Sequence, residues 1–116
     1  MIDPDALMRL REWGGSKLLA EMVRLFLENS SERLGQLGKG FADGDLRTVE
    51  RAAHSLKSSA ANVGAMEVSR VSQQIEAAAE GGDTDTARKL FDALVPAHEE
   101  ACQRLREIEA GVKNEA

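Results

Sequence analysis

Between the turn Asp43-Gly44-Asp45 and Gly64, the residues Leu46, Val49, Ala53, Leu56, Ala60 and Val63 advance by 3, 4, 3, 4 and 3 positions. That step keeps all six on one face of an α-helix, whereas a strand would scatter them over both faces of a sheet. An apolar stripe of this width is stable only when it is covered by other helices, so the segment predicts a helical bundle.

The rest of the chain repeats the pattern between turn signals. Asp3 and Pro4 form an N-cap and first-turn pair that opens a short helix, about residues 4–13, through Leu7 and Leu10 to Gly14-Gly15. Ser16 then offers a cap for a helix whose apolar residues Val23, Leu27, Leu34, Leu37 and Phe41 follow at 4, 7, 3 and 4, reaching about Ala42. Leu18, Leu19, Met22, Leu25 and Phe26 make its first half apolar around much of its girth. Either the N-terminal helix covers that end or part of it is left as a docking patch, and both arrangements can hold together. Gly64 supplies a left-handed residue that ends the central helix, after which Val68, Val71, Ile75 and Ala78 trace a shorter one that stops at Gly81-Gly82.

Asp83-Thr84-Asp85-Thr86 can cap the last run, where Ala87, Leu90, Leu94, Ala101, Leu105, Ile108 and Val112 face inward. Pro96 lies inside this run and predicts a kink or a break near Val95. The connections are short, which favours antiparallel neighbours. The expected fold is all-α: an antiparallel up-down-up-down four-helix bundle over about residues 16–112 with a short extra N-terminal helix, in one domain spanning 1–116.

Composition narrows the function. Fifteen Lys and Arg against 20 Asp and Glu give a net charge of −5, which argues against a general electrostatic grip on nucleic acid. The single cysteine, Cys102, has no internal disulfide partner, and no stretch approaches the roughly 18 apolar residues of a membrane span. With no basic and apolar leader at Met1, the expectation is a cytoplasmic protein that works without a membrane. A bundle closed within one chain is expected to be a monomer.

Two histidines are the candidates for chemistry. His54 follows the stripe residue Ala53, so its ring lies about 100° around the helix from the buried face and reaches solvent. Glu50, Arg51, Lys57 and Ser58 surround it at one-turn spacings, with Ala61 two turns on. An imidazole is largely neutral and nucleophilic near pH 7, and Lys57 can neutralise an oxyanion beside it, so this is a candidate phosphoryl-acceptor site. From spacing alone the plainer reading is a solvated histidine on a helix flank, and Arg47 and Arg51 read equally as an ordinary solvated face. His98 and Cys102 lie four apart on the last run, but two ligands make no metal site and no further ligand pattern completes one, so no metal is expected. Cys102 reads as a small core residue, His98 as a flank residue, and Trp13 as an anchor packing the N-terminal helix onto the bundle. No phosphate-cradling glycine loop is present, so ATP binding is not expected.

The run His54-Ser55-Leu56-Lys57-Ser58, followed by Gly64, resembles the signature of histidine-containing phosphotransfer (HPt) domains. In that family a His, an apolar residue two later, a Lys three later, a small residue four later and a Gly ten later recur together. The segment Leu10-Arg11-Glu12-Trp13-Gly14-Gly15, the apolar helix with Phe26, the Asp43-Gly44-Asp45 turn and the closing helix are similar as well, so the resemblance covers nearly the whole chain.

The resemblance implies that His54 takes a phosphoryl group from the aspartyl phosphate of a response-regulator receiver domain and passes it to another receiver, with a hybrid histidine kinase upstream. It implies that Lys57 stabilises the charge of the transferring group and that Ser58, where the family most often has Gly, keeps the surface open for the receiver. It also implies an orienting residue on the next helix that binds the inner ring nitrogen. Glu76 falls on that position by spacing, with Gln73 one turn earlier as the alternative and an exposed helix charge as the plain reading of Glu76. Ala61, Arg51 and Arg47 would border the docking face, and Gly64 would end the helix. No cofactor is expected in this chain, and magnesium would come with the receiver domain, making this a phosphohistidine carrier without kinase activity of its own. The competing class is an adaptor bundle that binds a signalling partner through the His54 face without chemistry. A kinase dimerisation helix pair fits poorly, because those domains follow their His with an acidic residue and soon a Pro, whereas Ser55 follows His54 here.

Overall fold

Three aspartates begin three helices. In the computed structural model, which describes Met1–Glu115, Asp3 Oδ1 accepts from the Asp5 amide at 3.0 Å, Asp45 Oδ1 from the Thr48 amide at 3.1 Å and Asp83 Oδ1 from the Thr86 amide at 3.1 Å. Each side chain satisfies an amide that the first turn leaves without a partner. The helices they start are α1 (Pro4–Asp43), α2 (Leu46–Asn62) and α4 (Thr84–Lys113), while α3 (Met66–Glu80) begins without a side-chain cap. Each helix packs on its neighbour in sequence and α4 closes back on α1, so the four form a ring around one core. Connections as short as Gly44-Asp45 and Gly81-Gly82-Asp83 oblige the chain to reverse at each corner. Among the described residues no strand forms; Ile2 makes an isolated antiparallel bridge with Ala65.

The apolar stripes meet in a single cluster that draws Val23 and Leu37 from α1, Val49, Ala53, Leu56 and Ala60 from α2, Val68, Val71 and Ile75 from α3, and Leu94 and Leu105 from α4. Leu46, at the rim, is half-buried. α1 is interrupted at Gly14 and Gly15, where the backbone leaves helical dihedrals and Gly15 takes φ +70°. The interruption shortens the element: 40 residues in a straight helix would run about 60 Å, against the 47 Å long axis of the molecule. The short N-terminal helix and the first bundle helix of the sequence reading are therefore the two limbs of α1. Ser16 accepts from Arg11 Nη1 at 2.9 Å instead of serving as a backbone cap.

Gly64 does more than end α2. It adopts φ +78°, and a Cβ there would stand 2.6 Å from the Asp3 carbonyl oxygen and 3.2 Å from Ala6 Cβ. The Asp3 amide donates to the Gly64 carbonyl at 2.8 Å, so the absence of a side chain lets the N-terminal limb lie on the α2–α3 corner.

Three expectations are corrected. Trp13 is 73% exposed and anchors nothing; Ile2, Ala6 and Leu10 fasten the limb, and the backbone turns away at Gly14 just past the indole. Of the kink or break expected near Val95, the break is absent, for α4 is one helix from Thr84 to Lys113. Pro96 and Asp92 both face solvent, so water can satisfy the Asp92 carbonyl that loses its amide partner, while buried Leu94 and His98 on the other face hold the helix together. His98 is no flank residue: it is 6% exposed, one turn from both Leu94 and Cys102 on the inward face. Its Nε2 meets the Ser30 hydroxyl at 2.7 Å and the Cys102 thiol at 3.2 Å, a pairing that allows a polar ring into the α1–α4 interface. Burial pushes the imidazole pKa down and the Cys102 thiol up.

The apolar first half of the bundle limb of α1 is partly buried and partly open. Leu19, Val23 and Phe26 are buried, while Met22, Leu25 and Phe26 border an open groove that Asn29, Ser59, Asn62 and Val63 complete.

Candidate functional site

Asp45 fixes the start of α2, accepting the Thr48 hydroxyl at 2.7 Å as well as its amide, and thereby sets the rotation of every residue after it. With Val49, Ala53 and Leu56 buried, His54 emerges on the edge of α2 that faces α3, with its side chain 61% exposed. α3 is held in register by the Ser69 hydroxyl, which donates to the Lys57 carbonyl at 2.9 Å. Ile75 is fully buried, and Glu76, the next residue, is turned towards α2.

The result is a three-residue chain. Glu76 Oε2 lies 2.6 Å from His54 Nδ1, and Glu76 Oε1 accepts from Lys57 Nζ at 2.8 Å. The Lys57 ammonium holds the Glu76 carboxyl below the usual carboxylate range, with the His54 contact adding to it and partial burial opposing both. Glu76 is therefore ionised at neutral pH and acts only as an acceptor, so Nδ1 carries the ring proton and donates it. In the neutral ring the lone pair then resides on Nε2, which has no protein partner among the described residues. The arrangement yields an exposed nucleophilic nitrogen with a carboxylate behind the ring, ready to offset positive charge that develops there.

The other sequence candidates fall into place around this chain. Gln73 is exposed with no side-chain hydrogen bond among the described residues, so it is Glu76 that binds the ring. Ser58 is exposed and Ala61 half-buried, so the face towards the C-terminal end of α2 is small and low. Arg47 and Arg51 are exposed on the opposite side of His54, where with Glu50, Ser55 and Glu76 they line an open depression of about 500 Å³. Two features escaped the sequence reading. Lys57 is bound to Glu76 instead of lying free beside the ring, and Glu50 and Ser55 are part of the rim. Glu50 was visible as a one-turn neighbour of His54; nothing in the spacing singled out Ser55.

The family model described as the Hpt domain matches residues 21–112. Among solved structures, the chain is similar to the crystal structure of histidine-containing phosphotransfer protein B (HptB) from Pseudomonas aeruginosa PAO1, with a TM-score of 0.89, 22% sequence identity and coverage of 94% of each chain. At that identity the likeness is one of fold. No curated protein matches the sequence.

Proposed function

The chain belongs to the Hpt domain family, and we propose that within a phosphorelay it carries the phosphoryl group on Nε2 of His54. The carboxylate of Glu76 on Nδ1 supports this reading, because it leaves the outer nitrogen as the nucleophile of an exposed ring. In the forward step Nε2 attacks the phosphorus of an aspartyl phosphate on a receiver domain. The N–P bond forms, the P–O bond to the aspartate breaks, and that aspartate leaves as a carboxylate. The ring becomes cationic with its proton still on Nδ1, and Glu76 neutralises it. Attack by the carboxylate of a second receiver reverses these changes and returns the ring to neutrality.

Such a transfer needs position and charge neutralisation more than machinery. Magnesium belongs to the receiver in this scheme, and a hybrid histidine kinase supplies the phosphoryl group upstream. The carrier acts as a monomer in the cytoplasm; no helix of the described residues is long and apolar enough to cross a membrane.

Intact mass after mixing with a phosphorylated receiver and magnesium tests the proposal. One acid-labile phosphoryl group in the wild type, absent in His54→Gln, is the expected result. Ser58→Glu is expected to block the gain, since it places bulk and negative charge where the group arrives. A wild type that no receiver from the same cell phosphorylates, but that still binds one through the His54 face, would make the protein an adaptor.

A further inference from the structure

A phosphoryl group on His54 brings up to two negative charges to the surface of α2 and needs a cation near its oxygens. Lys57 is poorly placed to be that cation. Its ammonium is already bonded to Glu76 Oε1 at 2.8 Å, only 28% of its side chain is exposed, and the same carboxylate is committed to the ring at 2.6 Å. Moving Lys57 to the phosphate would strip Glu76 of a partner just when the ring turns cationic. An acidic orienting residue, unlike a neutral one, thus ties up the lysine.

Two other cations stand on the same side of the helix. Arg51 precedes His54 by one turn and Arg47 by two, within about 60° and 20° of it around the helix axis. Both are exposed, neither makes an ion pair or side-chain hydrogen bond among the described residues, and both line the depression that His54 borders. Side chains on a helix lean towards its N-terminus, so the imidazole itself tilts over the turn that carries Arg51. Glu50 and Glu76 bring two negative charges to that rim against the two positive ones, but the Glu76 carboxylate is already bonded to the ring and to Lys57, so Glu50 is the acidic group left facing the arginines, and Ser55 adds a hydroxyl. Guanidinium groups suit this duty, for their planar forks bond two phosphoryl oxygens at once.

We propose that Arg51, backed by Arg47, is the phosphoryl-oxygen clamp of phosphorylated His54, the role that Lys57 gives up to Glu76. The proposal rests on His54 being the acceptor. It makes Arg51 and Arg47 binding residues for the carried group, in addition to any part they take in docking a receiver.

Phosphoramidate tests both steps without a receiver, since its P–N bond breaks with loss of ammonia as the N–P bond to the ring forms. The phosphorylated protein is titrated by ³¹P NMR for wild type, Arg51→Gln, Arg47→Gln/Arg51→Gln and Arg104→Gln, with helicity checked by circular dichroism. Arg104 lies on α4, which packs on α1 and α3. A unit charge roughly 6 Å away in a water-like dielectric shifts an ionisation by about half a unit. The phosphoryl ionisation should therefore rise by about half a unit in the single variant and about one unit in the double variant, while Arg104→Gln, and an added Arg51→Lys variant that keeps the charge, stay close to the wild type. A folded double variant that titrates like the wild type overturns the clamp and leaves His54 as the acceptor. A wild type whose His54 takes up no phosphoryl group removes the acceptor reading and the clamp with it.

Discussion

Replacing Glu76 with Gln removes one charge and almost no volume, which makes it the sharpest probe of the His54 site. The wild-type carboxylate makes two short contacts, 2.6 Å to His54 Nδ1 and 2.8 Å to Lys57 Nζ, from a side chain 19% exposed. Hydrogen bonds to charged groups are worth about 1.5–3 kcal/mol and neutral ones about 0.5–1.5 kcal/mol, so the amide forfeits about 1.2 kcal/mol of support for the ring cation. At about 1.4 kcal/mol per factor of ten, the rate of phosphoryl arrival should fall roughly tenfold in Glu76→Gln, and roughly a hundredfold in Glu76→Ala, where no acceptor remains. Single-turnover rapid-quench transfer from a phosphorylated receiver measures the rate. Ring ¹⁵N shifts report the position of the proton, which in wild type should be on Nδ1 and in Glu76→Ala should be shared between the nitrogens. The carboxyl is held below its ordinary range in the fold, so its contribution to stability is complete above about pH 4.3 and is lost as pH falls through the lowered folded value. Wild-type rates and unchanged ring shifts in both variants would refute Glu76 as the orienting residue.

Other parts of the fold make independent predictions. Gly64→Ala should destabilise by about 2–4 kcal/mol, because it combines left-handed strain with a Cβ placed 2.6 Å from the Asp3 carbonyl oxygen; Gly44→Ala, at φ +66° with nothing within 4 Å, should lose only about 1–2 kcal/mol in the same urea titration. Equal losses would mean that the N-terminal limb does not rest on Gly64. Ser72 Oγ is buried without a partner among the described residues, so Ser72→Ala should raise stability by about 1 kcal/mol, and a lower urea midpoint would show that the hydroxyl has a partner in solution. Because burial lowers the His98 pKa from 6.5, the unfolded chain binds a proton in mildly acidic solution that the folded one refuses. Stability should thus be full above pH 6.5 and fall as pH drops below it, with wild type losing more between pH 7.5 and 5.5 than His98→Gln; parallel losses would place the sensitivity elsewhere.

The bundle was legible because its information is periodic and local. The α2 stripe and the aspartate caps each act within one helix, so neither depends on knowing what the helix packs against. The position of Glu76 was legible through spacing together with the family resemblance. What the sequence did not disclose depends on register between elements. No feature of α2 alone shows that Lys57 is bonded across to α3, since that requires knowing how Ser69 and Ile75 seat one helix on the other. His98 was misplaced because a polar ring scores as surface until its partner, Ser30, is brought from 68 residues away. Trp13 was misplaced for the opposite reason: a large apolar ring scores as core, but the chain turns at Gly14 before any element can cover it.

The same cross-helix register explains how an acidic protein can present a cationic site. The chain carries a net charge of −5, yet α2 brings Arg47, Arg51 and Lys57 to the neighbourhood of one exposed imidazole with Glu50 the sole acidic residue between Leu46 and Asn62. Glu76 is the carboxylate that arrives from outside this helix, and it is spent on the ring proton and on Lys57. Fields at a surface decay within roughly 8–10 Å at physiological salt, so a partner near His54 responds to the local arginines and not to the distant acidic residues. The orienting carboxylate and the arginines, which make no ion pair among the described residues, are consequently linked in the proposed clamp: Glu76, bonded to both the ring and Lys57, would leave incoming negative charge to Arg47 and Arg51.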